Sequence, residues 1–136
     1  MWLGEMTPNA AQELLVTARR FVADNAALPL SCLSIIGSHC PAPRESVRVQ
    51  LATTCRELEA AGVEQVWVAE GSQSRAALVL GVGLAVSTAA SSTLRLKFAV
   101  TVYEAAEMIA PRLSGASGRV PVLTSIIDQV RSHMGT

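Results

Sequence analysis

The chain has no excess of charge of either sign, because eleven Lys and Arg side chains balance eleven Asp and Glu side chains in 136 residues. No cluster of Lys or Arg forms a stripe that would follow a phosphate backbone, so nucleic-acid binding is not predicted. The three cysteines, Cys32, Cys40 and Cys55, lack C-x-x-C spacing. A disulfide framework and a structural zinc site are therefore not expected, and a reducing, cytoplasmic location is predicted.

The sequence also shows no segment typical of secretion or of membrane insertion. Residues 1–5 contain neither a basic n-region nor a long apolar h-region, so no secretion signal is expected. The uncharged stretch at residues 76–94 contains Gly, Ser and Thr, and only about fifteen of its residues are convincingly apolar, against the roughly 20 that a membrane span needs. We interpret this stretch as a buried helix and expect no membrane association.

Hydrophobic residues make up 50% of the chain and charged residues 16%, a composition that predicts a folded protein rather than a disordered one. The length predicts one domain, residues 1–136, with enough side chains to form a core. Most of the apolar residues are aliphatic or alanine. They leave more apolar surface than a small monomer easily hides, which favours a homo-oligomer such as a homodimer.

After an N-terminal helix, the apolar residues follow strand and helix periods in alternation. The first helix is predicted to begin after the capping residue Thr7, with Pro8 at its first position, and to end near Asn25. Further helices are predicted at residues 45–61, 75–90, 103–113 and 125–133, strands at 30–36, 63–70 and 94–102, a turn at 114–118 and a short strand at 120–123.

This order predicts an α/β fold: a partial (β/α) barrel-like unit or a three-layer parallel sheet, with an extra N-terminal helix. The single domain then consists of an N-terminal helical extension at residues 1–29, βα units at 30–123 and a C-terminal helix at 124–136. An alternative stays open for residues 78–86, which contain the glycines and β-branched residues of a strand. Paired antiparallel with residues 94–102, they would form a hairpin and make the fold α+β.

Three segments resemble the luciferase-like flavin and deazaflavin oxidoreductases. Residues 56–70, RELEAAGVEQVWVAE, are similar to that family's passage from a helix ending E-x-x-G into a strand of the D-S-V-W-V-A-E type. Residues 84–96 resemble its A-A-A-T-x-x-I-R-L passage, and residues 112–120 resemble its L-S-G-G-R-V turn. The resemblance implies FMN or deazaflavin as cofactor. Because the family forms (β/α)8 barrels, a chain of this length would be a truncated or diverged relative, completed by dimerisation and catalytically degenerate.

Loops at the carboxyl ends of parallel strands are where α/β proteins place functional side chains. Residues 70–75 lie in such a loop, and Gly71, Ser72, Ser74 and Arg75 are predicted to hold the cofactor phosphate at a helix N-terminus. Under the resemblance, His39 and Glu70 would position groups or exchange protons. The alternatives are purely structural roles: Ser72 or Ser74 caps the helix, Glu70 pairs with Arg75, and His39 is an exposed loop residue.

Two functions from different classes remain open. The first is a flavin- or deazaflavin-dependent oxidoreductase-like protein that also binds a small phosphate-bearing ligand. The second is a non-enzymatic dimerisation or binding module whose apolar helices pack against a partner chain. Apart from these two functions, Cys40 is a candidate nucleophile, since a thiolate beside His39 and Arg44 would be reactive. Cys32, Cys55 and Trp67 are predicted as core residues.

Overall fold

The computed structural model describes residues 1–2, 4–90, 94–113 and 119–134. The helices are α1 (Pro8–Asp24), α2 (Glu45–Ala60), α3 (Gln73–Ala89), α4 (Val102–Ile109) and α5 (Val120–His133), and the strands are β1 (Ser31–Ile36), β2 (Glu64–Ala69) and β3 (Leu96–Ala99). A short 3-10 turn, Ala110–Arg112, continues α4. The alternation of strands and helices that the sequence predicted is confirmed.

The strands form one parallel sheet in the order β1-β2-β3. Ile36 pairs with Ala69, and Val68 pairs with Ala99, so the carboxyl ends of the strands lie nearly level. Each strand therefore ends at the same edge of the sheet, where the loops 37–44, 70–72 and 100–101 begin. Trp2 adds a parallel bridge on the free side of β1, with its N–H donating to the Ile35 carbonyl at 2.7 Å.

Helices cover both faces of the sheet, and the sheet is not closed into a barrel. Helices α1, α2 and α3 pack around Trp67 on one face, while α4 and α5 cover Val66 and Val68 on the other. In a (β/α)8 barrel the helices form an outer ring on one side of the strands. The chain therefore does not adopt the predicted barrel-like form. It adopts the other predicted form, an open three-layer arrangement.

Local signals set the ends of the first two helices as predicted. The Thr7 hydroxyl accepts a hydrogen bond from the Ala10 N–H at 3.2 Å, and Pro8 occupies the first turn of α1. Helix α2 stops before Gly62, whose φ of +76° is costly for residues with a Cβ.

The alternative of an antiparallel hairpin at residues 78–86 is wrong, because all of these residues lie within α3. No helix in the described ranges is long and apolar enough to cross a lipid bilayer.

Two boundaries differ from the prediction at the C-terminal end of the chain. Strand β3 stops at Ala99 because Thr101 caps α4, accepting from the Glu104 N–H at 3.1 Å, and the helix begins at Val102. Residues 120–123 form the first turn of α5 rather than a strand. Pro121 suits that position, because its missing N–H has no helical partner there. The turn predicted at 114–118 lies outside the described residues.

Helix α3 approaches the sheet closely at Gly83. A Cβ built on Gly83 would lie 2.4 Å from Phe98 Cζ and 2.7 Å from Phe98 Cε1, closer than two carbon atoms tolerate. The Phe98 ring packs edge-on against Trp67, with 6.2 Å between the ring centroids. Gly83 therefore leaves room for the Phe98 ring between α3 and β3.

We expect Gly83→Ala to lower the free energy of unfolding by about 1–3 kcal/mol, because the added methyl group displaces the Phe98 ring from Trp67. Gly81→Ala on the same helix is the matched control at protein concentrations where the chain is monomeric, since a Cβ there meets no atom of its own chain within 4 Å. It should raise the free energy by up to about 1 kcal/mol through helix propensity. Urea unfolding measures both, and equal effects of the two substitutions would contradict this packing.

Candidate functional site

The predicted site residues lie on two loops that meet at the carboxyl edge of the sheet. Arg75 Nη2 donates to the Gly37 carbonyl at 3.1 Å, which joins the start of α3 to the loop after β1. Gly71 has a φ of +117°, and a Cβ there would lie 3.4 Å from the Cβ of Ser38. The structure therefore brings the loop 70–75 against the loop that carries His39. This proximity agrees with the general argument from parallel strands.

The hydroxyl of Ser72 is engaged in the helix itself. Ser72 is the N-cap of α3, and its Oγ accepts from the Arg75 N–H at 3.3 Å. The capping alternative is therefore confirmed for Ser72. Ser74 lies exposed in the first turn. The start of α3 keeps the partial positive charge of a helix N-terminus, but one of its two predicted hydroxyl ligands already serves the backbone.

Glu70 forms an ion pair with Arg131 of α5, and not with Arg75 as one alternative predicted. The side chains of Glu70 and Arg131 are 31% and 27% exposed, so the pair is partly shielded from water. The partners are 61 positions apart in the sequence, and their contact ties the end of β2 to the last turn of α5. In this arrangement the Glu70 carboxylate, which was predicted to position groups or exchange protons, has a structural partner.

His39 and Cys40 are neighbours in the chain with opposite surroundings. His39 is exposed, as its loop position predicted, whereas Cys40 is 2% exposed. Cys40 Sγ donates to the Gly4 carbonyl at 2.8 Å. Burial raises the pKa of the Cys40 thiol, and the nearby Arg75 guanidinium opposes that shift only in part. A protonated, buried thiol is a poor nucleophile, so the geometry does not favour covalent chemistry at Cys40.

Of the predicted cofactor residues, Arg75 lines a small cavity between α3 and the loop after β1. The cavity that Arg75 lines has a volume of about 10 Å³. Small-molecule sites usually have volumes of about 300–1,000 Å³. A larger open groove of about 610 Å³ lies between α4 and α5, and is lined by Tyr103, Pro121, Thr124, Ser125, Asp128, Gln129 and Ser132. None of the predicted site residues lines that groove.

A charged cluster at the opposite edge of the sheet was not anticipated from the sequence. Glu64 is 9% exposed at the start of β2 and forms ion pairs with Lys97 and Arg112, the second at 3.6 Å. A groove at this edge is lined by Glu64, Lys97 and Arg112 and also by Glu59 and Arg95. The backbone N–H of Arg95 donates to the Glu59 carboxylate at 3.2 Å. Each of these three cations therefore faces a carboxylate of the protein itself, so the cluster does not form an anion site.

The outer face of α3 is uncharged, as the sequence between Arg75 and Arg95 contains no charged residue. Exposed residues recur on this face at the helical spacing 77, 80, 81, 84 and 88. Leu80 and Leu84 are 44% and 60% exposed. Between them, Gly81 meets no atom within 4 Å of a built Cβ. We call this set, Ala77, Leu80, Gly81, Leu84 and Thr88, the α3 face.

Comparisons of the chain with models of known protein families, with curated proteins and with solved structures found no match. The resemblance to luciferase-like oxidoreductases therefore stays a prediction from the sequence. Binding of FMN or deazaflavin likewise stays a prediction.

We expect Arg75→Met to lower the free energy of unfolding by about 1 kcal/mol or more, because the Gly37 carbonyl loses a charged donor. Arg44→Met is the control, since the Arg44 side chain is 84% exposed and its nearest carboxylate oxygen, on Glu5, is 3.7 Å away. That substitution should change the free energy by less than about 0.5 kcal/mol. Chemical denaturation compares the two variants. An Arg75→Met protein as stable as the parent would mean that the guanidinium is available to a ligand.

Proposed function

We propose that this chain is a non-enzymatic association module that binds a second copy of itself through the α3 face. The observation that carries the proposal is the uncharged, exposed apolar surface of a helix in the outer layer of the fold. Contiguous apolar surface of this kind is typical of protein interfaces, because burying it removes it from water.

The absence of charge on the α3 face favours a second copy as the partner. A face without charged side chains leaves no ionic group unpaired when it meets an identical face, as happens across a two-fold axis. The small residues Ala77 and Gly81 lie beside Leu80 and Leu84, which gives the helix a hollow next to a ridge. Ridges that fit into grooves are how two helices pack closely.

Helix α5 also presents apolar side chains, but in a different setting. Ile126 and Val130 are 43% and 50% exposed. The same helix carries Asp128 and Arg131, and Arg131 is engaged with Glu70. Charged groups are depleted at the core of protein interfaces because they must be desolvated there. The α3 face is therefore the better supported docking surface.

The oxidoreductase interpretation has less support from the geometry. Of the predicted cofactor and catalytic residues, Ser72 caps α3, Arg75 binds the Gly37 carbonyl and Glu70 pairs with Arg131. These contacts occupy the groups that a phosphate or a flavin ring would need. The same contacts hold the helices and loops of the fold together, as the scaffold of a binding module requires.

We expect the parent protein to sediment as a dimer. Leu84→Glu should weaken that dimer by at least about tenfold, because it removes a leucine that the dimer buries and places two carboxylates opposite each other. Analytical ultracentrifugation over a concentration series measures the dissociation constant. Val49→Glu on α2 is the matched control, as Val49 is 52% exposed and lies on another helix. A parent that stays monomeric at every concentration, or equal weakening by both substitutions, would contradict the proposal.

A further inference from the structure

A cavity lies between α1, α2 and the sheet, and opens beside the free edge of β1. Its volume is about 310 Å³. Its lining is contributed by Trp2, by Leu14, Thr17, Ala18 and Phe21 of α1, by Ser31, Cys32, Leu33 and Ser34 of β1, by Leu51, Thr54, Cys55 and Leu58 of α2, and by Val63, Gln65 and Trp67. Phe21 is half exposed and marks the mouth.

The lining contains no charged side chain. The two thiols in it are neutral, since burial raises the pKa of Cys32 and raises that of Cys55 to about 12. Gln65 donates its amide to the Cys55 carbonyl at 2.8 Å, and Thr54 donates to the Gln50 carbonyl at 3.3 Å. An ionised molecule would lose its hydration in this cavity without gaining a counter-charge.

The other polar side chains of the lining are few and small. Thr17, Ser31 and Ser34 contribute hydroxyl groups. The Ser31 hydroxyl oxygen is buried and makes no hydrogen bond within the described ranges. The cavity is therefore mainly apolar and offers a ligand neutral groups only.

The size of the cavity suits a small ligand. Small-molecule sites usually have volumes of about 300–1,000 Å³ and are lined mainly by apolar side chains. This cavity opens to solvent and lies at the lower end of that range. A molecule of suitable shape would cover apolar side chains of α1, α2 and β1 together.

We propose that this cavity binds a neutral, mainly apolar small molecule of about a dozen non-hydrogen atoms, by proportion to the roughly 150 Å³ cavity that holds benzene. A single hydroxyl or carbonyl group on the molecule suits the serine and threonine hydroxyls of the lining. Its hydrocarbon part lies between Phe21 and Trp67. This inference does not depend on the proposed dimer, because none of its residues belongs to the α3 face.

Titration of the intact protein with 1-decanol tests the proposal, and tryptophan fluorescence reports it because both tryptophans of the chain line the cavity. We expect saturable binding of decanol and at least about tenfold weaker binding of decanoate at neutral pH, since the lining offers no cation. Absence of a saturable change with decanol up to its solubility limit, or binding of decanoate as tight as that of decanol, would overturn the proposal.

Two substitutions locate the binding in this cavity. Ala18→Phe fills the space from α1 and should abolish decanol binding, whereas Val16→Phe adds the same ring at a position that is 46% exposed and should leave binding unchanged. Cys32→Leu fills the cavity from the sheet and gives a second variant if Ala18→Phe does not fold. Unchanged decanol affinity in a folded cavity-filling variant would place the binding elsewhere.

Discussion

The fold depends on the burial of strand β2 on both of its faces. Val66 and Val68 are completely buried beneath α4 and α5, while Trp67 is 2% exposed beneath the other three helices. The two hydrophobic clusters lie on opposite faces of the sheet that contains this strand. Removal of such apolar area from water is the dominant favourable contribution to folding. Both helical layers are therefore stabilised by the same six-residue strand.

The central position of β2 also determines what its flanking loops do. Just after the carboxyl end of the strand, Glu70 forms an ion pair with Arg131 of α5. Arg75, at the start of α3, donates to the Gly37 carbonyl in the loop after β1. At the amino end of β2, Glu64 forms an ion pair with Lys97 of β3. Glu64, Glu70 and Arg75 are thus engaged in holding the layers together. The surfaces that we propose for partners lie away from this axis, on the α3 face and in the cavity beneath α1.

Most of the secondary structure was predictable because its signals are local. Thr7-Pro8 starts α1 and Gly62 ends α2, and each acts through atoms a few residues away. The capping pair Thr101 and Glu104 was equally local and would have corrected the end of β3. Partners distant in the sequence were not predictable: periodicity gives no information on which carboxylate meets Arg131, or on where two helices leave a cavity above a sheet.

Native-state hydrogen exchange tests the central claim most directly. The amides of Val66, Trp67 and Val68 lie between two strands and beneath helices on both sides. If β2 holds both layers, these amides exchange only through global unfolding, with a free energy of exchange equal to the free energy of unfolding. Amides of α1 then exchange through smaller openings. Exchange of the β2 amides at a lower free energy than those of α1 would contradict the account.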